Sequence, residues 1–321
     1  MELSLFANRL GLDFTYYSSR SCDQIVPFSV SGSTGYTSAV VNAGELSNRG
    51  IELSLRGTPV QTRRFEWNTT LTLSRNRNRV EKLIDEVDYY CIAQGRVLGE
   101  QLGAMVGQEY GVIMGTDYVY DVNGNRKVDP TTGLYQYTDG LVPLGSAYPK
   151  VTGGWNHAFR LGRFDAGLQF GFQQGGHYMS ATYGNACYSG VLEETAADNI
   201  RETGLVLEGV VDDQGTPNTK VVSARDHFKS LFAGPHRAAL LKTDYVRLRE
   251  VSVGYTFPLR SGSVVKSFRL SAYGRNLAVW GPDVKHLDPD VAVTSSGNIQ
   301  GLEGGPSPSV ANYGVTVNLK F

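Results

Sequence analysis

The chain has 321 residues, with 30 basic and 31 acidic side chains and a formal net charge of -1. This balance gives no support to a nucleic-acid partner, which requires a basic face. No stretch reaches the roughly 18 consecutive apolar residues that a membrane-spanning helix needs. The 38 Gly and 18 Tyr residues fit an all-β chain with many turns and with aromatic rings at interfaces.

Alternation of apolar and polar residues dominates the chain and predicts β-strands, because every second side chain of a strand lies on the same face. Four adjacent pairs of such runs predict hairpins, and the last nine residues form a further run. We expect roughly ten strands, many near the length of about 9–11 residues with which a tilted strand crosses a bilayer. In chain order the pairs are residues 3–6 with 10–17, 48–55 with 65–75, 151–159 with 164–173, and 245–257 with 268–279.

Long polar segments separate these hairpins and are predicted to be loops. Short turns that alternate with long loops are expected of outer-membrane barrels, in which the turns are periplasmic and the loops extracellular. The alternation favours a sheet with one apolar and one polar face, but it does not by itself separate a membrane barrel from a soluble sandwich. The long segments are residues 18–43, 81–95, 115–148, 178–241 and 281–309.

Three groups of motifs follow one another along the chain. The first is NRLGLDFTYY at residues 8–17, followed by residues 33–36, 41–45, 48–53 and 65–67. The second is DVNGN at residues 121–125, followed by Pro149 and the strand pair that starts at Val151. The third is YVRLREVSVGYTFP at residues 245–258, followed by residues 274–277, 288–290 and Phe321. In order and spacing these motifs resemble the SusC/RagA-type TonB-dependent outer-membrane receptors.

The resemblance implies an antiparallel transmembrane β-barrel, of which residues 1–321 are the C-terminal part, without the plug domain and the N-terminal barrel strands. Receptors of this family are described as importers of oligosaccharides or peptides that pair with a SusD-like surface lipoprotein and are energised by the TonB complex. The resemblance therefore implies transport rather than an enzyme, with membrane lipid as a further partner. Because the chain starts in a strand pattern without an export signal, we expect a fragment or a truncated reading frame.

The last strand carries Tyr313, Val315, Val317, Leu319 and Phe321 on one face. The final strand of a barrel closes it by pairing with the first, so its register must be specified. A terminal Phe in phase with this apolar face resembles the signal that the barrel-assembly machinery reads. The alternative is an ordinary amphipathic strand that ends in Phe.

No catalytic, cofactor or metal residues are predicted. Residues 121–129 resemble part of a calcium loop, but Arg126 replaces its turn glycine and Thr132 its bidentate Glu, so we favour a hydrogen-bonded Asx turn. The Gly-rich residues 301–305 lack the Lys and Ser/Thr of a phosphate loop and are interpreted as flexible loop. The histidines show no metal-binding spacing and the cysteines are interpreted as incidental; these residues are His157, His177, His227, His236, His286, Cys22, Cys91 and Cys187.

Two side-chain clusters have alternative interpretations. Arg75, Arg77 and Arg79 form either a basic rim for ligands or, as we favour, a strand end where cations meet lipid headgroups and water. A tyrosine cluster either stacks on sugar rings or, as we favour, forms an interfacial girdle; it comprises Tyr89, Tyr90, Tyr110, Tyr118 and Tyr120.

Two other functions remain open at the level of sequence: a smaller self-closing porin-like barrel, and a soluble β-sandwich module that binds glycans. Under the favoured interpretation, the chain alone neither transports nor inserts stably. The reason is that the open edges of a half-barrel leave backbone groups unpaired in hydrocarbon.

Overall fold

The computed structural model describes residues 1–29, 38–42, 44–95, 98–260, 262, 264–291, 300–307 and 309–321. Three α-helices lie in these ranges: α1 Ala181–Ser189, α2 Ile200–Thr203 and α3 Ala224–Ala233. No helix in the described ranges is long and apolar enough to cross a membrane. The strands are β1 Glu2–Leu5, β2 Leu10–Ser21, β3 Ile25–Ser29, β4 Ser38–Asn42, β5 Glu45–Gln61, β6 Phe65–Lys82, β7 Tyr89–Gln94, β8 Gln101–Met105, β9 Val112–Gly115, β10 Val142–Ser146, β11 Val151–Leu161, β12 Phe164–Gln174, β13 His177–Ser180, β14 Leu205–Val206, β15 Val221–Val222, β16 Leu240–Lys242, β17 Tyr245–Phe257, β18 Ser267–Trp280, β19 Leu302–Glu303 and β20 Asn312–Lys320.

A nine-stranded antiparallel sheet is the main element of the described structure, in the order β1-β2-β5-β6-β11-β12-β17-β18-β20. Strands that follow one another in this order along the chain pair with each other, so the topology is up-and-down. Short turns join the strands at one end of the sheet and long connections join them at the other. The four predicted hairpins and the alternation of turns with long connections are confirmed.

The strands β5 and β6 are much longer than predicted, at 17 and 18 residues. The sequence analysis ended the second strand at Arg75, where the apolar residues stop. The structure continues it to Lys82, because cross-strand backbone bonds do not depend on apolar side chains: Arg77 stands opposite Arg49, and Arg79 opposite Ser47.

The register places apolar side chains on one face of the whole sheet, here called the apolar face. One row across it runs from Leu12 through Leu55, Leu71 and Trp155 to Phe170. Many of these side chains are exposed, for example Trp155 at 47% and Val253 at 53%. No second sheet covers the apolar face within the described residues. The soluble sandwich is therefore not the observed architecture, because a sandwich buries this face against another sheet.

The buried core lies almost entirely outside the sheet, in the long connections. Its largest cluster packs Ile113 and Met179, both fully buried, with residues of three connections: Leu98, Leu102, Leu144, Ala147, Ala239 and Leu302. We call this unit the cap; it comprises the sheet β7–β10, the sheet β16-β13-β19 and helices α1–α3. The prediction of plain loops for residues 81–95, 115–148 and 178–241 is wrong, because contacts between distant connections give these segments a core.

The two outer strands of the sheet, β1 and β20, each pair with one neighbour only in the described structure. The sheet is therefore open, and the self-closing porin-like barrel is not what is observed. Residues 33–36 and residue 43, which contributed to the family resemblance, lie outside the described residues.

Candidate functional site on the polar face of the sheet

A cavity of about 930 Å³ lies on the face opposite the apolar one, here called the polar face. Strand alternation places hydroxyl and amide side chains there, because they occupy the positions between the apolar residues. Eight of the nine sheet strands contribute to the lining. The polar lining residues include Thr15, Ser54, Thr72, Ser74, Thr152, Asn156, Gln169, Gln173, Asn276 and Asn312.

Of the five described charged residues that line this cavity, all but Glu52 form an ion pair, either with each other or with a residue next to the lining. The Arg275 Nε donates to Glu250 Oε2 at 2.7 Å, and Asp13 accepts from Arg56. Because these charges are locally compensated, the cavity presents mainly neutral hydrogen-bonding groups. Such a surface suits a polar, uncharged oligomer such as a glycan or a peptide backbone.

Described residues of the connection between β18 and β20 contact β17 beside this cavity. Arg247 on β17 is only 3% exposed; it pairs with Asp288, and its Nη1 donates to Ser309 Oγ at 3.2 Å. Beside it, the Tyr245 hydroxyl donates to Asp290 Oδ1 at 2.8 Å, and Arg249 also pairs with Asp290. Burial alone would raise the pKa of Asp290, but the hydrogen bonds from Arg249 and Tyr245 outweigh it and lower that pKa. The Asp-Pro-Asp motif of residues 288–290 thus holds this connection against the polar face.

The terminal-strand residues lie where the sequence placed them. Tyr313, Val315, Val317 and Leu319 follow the apolar face of the edge strand β20, and Phe321 comes just after it. All are exposed, from 51% at Leu319 to 77% at Tyr313. Their role as an assembly signal stays a prediction.

The segment that resembled a calcium loop forms an Asx turn. Asp121 Oδ1 accepts from the backbone N–H groups of Asn123 and Asn125 at 2.9 and 2.7 Å, and its Oδ2 accepts from Asn125 Nδ2 at 2.9 Å. These hydrogen bonds, that of the Asn125 side chain above all, lower the pKa of Asp121. Arg126 turns away and its guanidinium stacks 4.2 Å from the ring centre of Tyr118. No group of three metal-ligating side chains occurs in the described ranges.

The histidines and cysteines lie apart. His157 is on β11, where its Nδ1 accepts from Trp67 Nε1 at 3.2 Å, and His286 is exposed in the connection after β18. In the cap, His236 Nδ1 accepts from the Thr116 N–H at 3.0 Å, and burial lowers the pKa of His227 to about 4. Cys22 and Cys91 are exposed, Cys187 is buried, and all three are free thiols.

Tyr89, Tyr90 and Tyr110 lie in the cap, and Tyr118 is buried in the connection after β9. Because these rings pack against other parts of the protein, their interpretation as an interfacial girdle is wrong. The Tyr89 hydroxyl donates to Gln101 at 2.9 Å, and Tyr90 and Tyr110 pack around the buried Val80. Tyr118 is 8% exposed, and burial raises its pKa to about 12. Sequence alternation could not show this, because the partners of these rings come from distant connections.

The Gly-rich residues 301–305 are not the flexible loop that the sequence suggested. The Glu303 carboxylate is 5% exposed and accepts from Ser180 Oγ at 2.5 Å, from Thr182 N at 3.0 Å and Oγ1 at 2.5 Å, and from Gly305 N at 2.5 Å. It thereby fixes this segment at the start of α1. A lone Glu in a Gly-rich run gave no sequence signal for such a role.

No protein-family model matches the chain. Among curated proteins, TonB-dependent receptor P3 of Formosa agariphila is 27% identical over 350 residues, which cover 100% of this chain and 33% of the receptor. TonB-dependent receptor P26 of the same organism is 26% identical over 347 residues, covering 100% of the chain and 34% of the receptor. TonB-dependent receptor SusC of Bacteroides thetaiotaomicron is 23% identical over 297 residues, covering 87% and 27%.

Solved structures agree on the fold. The structure of the RagAB peptide transporter matches with a TM-score of 0.69 and 18% identity, covering 100% of this chain and 34% of that one. The RagAB peptide importer in its closed-closed state gives a TM-score of 0.71 and 19% identity, with the same coverage.

The sheet, its two faces and these matches define the fold class: the chain has an antiparallel fold that matches a part of the RagAB peptide transporter. The resemblance to the SusC/RagA-type TonB-dependent receptors is confirmed over the whole chain. The chain spans about a third of the length of the curated relatives that it matches.

Proposed function

We propose that this chain forms the C-terminal part of the barrel wall of a SusC/RagA-type importer in a bacterial outer membrane. The observation that carries the proposal is the exposed apolar face, which extends across all nine strands and has no covering layer in the described structure. Exposure of so large an apolar surface to water is unfavourable, whereas contact of this surface with lipid chains is favourable. The wall transports and does not catalyse.

The imported substrate is an oligosaccharide or a peptide. The polar cavity of about 930 Å³ supports this class, since its lining is rich in hydroxyl and amide groups and most of its charged side chains are paired. The peptide alternative is also supported by a structural neighbour, because RagAB is a peptide importer.

The partners are a SusD-like surface lipoprotein and the TonB complex. The cap supports the pairing with a surface lipoprotein, because it is a folded unit at the end of the sheet opposite the short turns. The TonB complex acts through plug and N-terminal elements that belong to the complete receptor.

The test uses cells that express the complete receptor with this segment and measures uptake of fluorescent oligosaccharides and peptides. Thr72→Trp places a large ring in the cavity, and we expect uptake to fall while outer-membrane insertion is kept. The matched control is Thr316→Trp, on the polar face of β20 but outside the cavity lining, and we expect uptake near the unmodified level.

Heat-modifiable electrophoretic migration reports insertion of each variant. Uptake of neither substrate class by an inserted, unmodified receptor would contradict the import function. Equal uptake by the Thr72→Trp and Thr316→Trp receptors would contradict the role of the cavity. The chain expressed alone should neither insert stably nor transport, because its two edge strands leave backbone groups unpaired in lipid.

A further inference from the structure

A band of arginines continues the apolar face beyond its last apolar residues. In β6, residues of odd number share this face, so Leu71 and Leu73 are followed on it by Arg75, Arg77 and Arg79. On the neighbouring strand β5, Ile51 is opposite Arg75 and is followed by Arg49. We call Arg49, Arg75, Arg77 and Arg79 the arginine band.

The height of the band matches the edge of a bilayer. With a rise of about 3.3 Å per residue and a tilt of about 45°, Arg77 lies roughly 28 Å above Phe65, the first residue of β6, and Arg79 roughly 33 Å. The hydrocarbon layer is about 30 Å thick. These two side chains therefore bracket the level of the lipid headgroups at the end of the sheet where the long connections lie.

The charge of the band is largely uncompensated. The Arg79 side chain lies 3.8 Å from Glu81, but the side chains of Arg49, Arg75 and Arg77 make no ion pair or hydrogen bond within the described part of the chain. All four arginines are exposed. Arg49 and Arg77 stand directly opposite each other in register, an arrangement that destabilises a sheet unless an anion lies between the two charges.

Two recesses flank β6 at this level. One, of about 530 Å³, is lined by Arg77, Arg79 and Lys150, and Glu109 is the carboxylate residue among its described lining residues. The other, of about 440 Å³, is lined by Arg20, Arg49 and Glu81 together with three serines. Each recess therefore offers a place for an anionic group beside the band.

We propose that the arginine band binds the phosphate of an anionic lipid headgroup in the outer leaflet. The planar guanidinium groups match phosphate oxygens with two parallel hydrogen bonds, and the acyl chains of the same lipid lie on the adjoining apolar face. Continuity with this face favours a lipid over a soluble anion. The proposal rests on the proposed function, because it requires the apolar face to lie in a membrane.

The experiment measures lipid binding by the complete receptor in phosphatidylcholine nanodiscs. The probes are lipid A with its phosphates and lipid A from which phosphatase has removed them. We expect tight binding of the first only. In Arg75→Gln/Arg77→Gln/Arg79→Gln, binding of phosphorylated lipid A should weaken on the order of 100-fold, at about fivefold for each arginine near the surface.

The matched control carries Arg63→Gln, Arg64→Gln and Arg163→Gln, which remove three exposed charges at the turn end of the same sheet. We expect its lipid affinity to stay within about threefold of that of the unmodified receptor. Equal affinity for dephosphorylated lipid A, equal loss in the control, or full competition by inorganic phosphate at the concentration of the lipid would each overturn the proposal.

The result separates this inference from the proposed function. A receptor that inserts and imports but binds both forms of lipid A equally contradicts only the arginine band. A receptor that does not reach the outer membrane contradicts the proposed function itself, and heat-modifiable migration detects that outcome before any lipid is added.

Discussion

The sheet and the cap of this protein reach stability by different means. The side chains of the sheet are exposed on its apolar face, and its strands are joined by backbone pairing along registers of up to fifteen residue pairs, as between β5 and β6. The cap has a buried core around Ile113 and Met179, as a water-soluble domain does. The comparison teaches that one chain can present two kinds of surface, each suited to a different solvent.

The largest effect is expected in the core of the cap. Ile113→Ala removes a fully buried side chain and should cost about 2–5 kcal/mol, because it leaves a cavity. Hydrogen exchange of the complete receptor should show faster exchange in β8 and β9 and unchanged exchange in β11 and β12. Ile113→Val is the control, with a cost of about 0.5–1.5 kcal/mol. Equal acceleration in the sheet would show that the two regions unfold together.

Substitution of two adjacent residues of one strand by arginine should reduce stability by very different amounts. Val253 is on the apolar face and Ser252 on the polar face of β17. Val253→Arg should cost up to about 2–4 kcal/mol of stability in lipid, because an arginine then faces hydrocarbon. Ser252→Arg should cost much less. Unfolding by denaturant in vesicles measures both, and similar costs would contradict the assignment of the apolar face to lipid.

Within the cap, the hydrogen bonds of Glu303 with the start of α1 should stabilise residues 300–305. Glu303→Ala leaves the Ser180 and Thr182 donors without their acceptor and should cost about 1–3 kcal/mol. Residues 300–305 should then become sensitive to limited proteolysis. Glu193→Ala, on the neighbouring 3-10 helix, removes a similar charge without such contacts and should leave the cleavage pattern unchanged. Protection of residues 300–305 in Glu303→Ala would contradict the proposed role.

The smallest effect concerns pH. Burial lowers the pKa of His227 to about 4 in the folded cap, whereas an unfolded histidine titrates near about 6.5. Between these values the unfolded state binds the extra proton, so cap stability should decrease as pH falls from about 6.5 to about 4. After allowance for the partial exposure of His227, the loss is about 1–2 kcal/mol.

Exchange rates of α3 measured across this range in the complete receptor test the pH prediction. His227→Asn should reduce the dependence on pH, and the exposed His286 provides the control variant His286→Asn, which should leave it unchanged. An identical pH dependence in His227→Asn and in the unmodified receptor would exclude His227 as its source.

The sequence predicted the sheet well because its information is local. Period-two alternation in residues 164–173 and 245–257 is enough to place each side chain on a face, and short turns then fix the hairpins. The strand predicted from this alternation ended too early, at Arg75, since side-chain polarity does not decide where backbone pairing ends. The residues of the polar cavity were not predicted individually, because alternation does not tell which polar positions lie near its centre.

The cap could not be predicted in this way, because its core joins Leu102, Met179 and Leu302 from three separate connections. Some local signals were nevertheless present. Ser223 accepts from Asp226 N at 3.0 Å as the N-cap of α3, and Gly190 in a left-handed conformation (φ 68°) ends α1. A search for capping residues would have found these helices within the predicted loops.

The attachment of the cap to the sheet combines main-chain hydrogen bonds with the packing of Tyr90 and Tyr110 against the buried Val80. Beyond Arg75, where β11 no longer pairs with β6, the Val80 N–H donates to Gln108 O at 2.9 Å and the Gly107 N–H donates to Val80 O at 2.8 Å. Every residue except proline carries both of these groups. Side chains of the cap can therefore change over evolution while these main-chain hydrogen bonds to the sheet are kept.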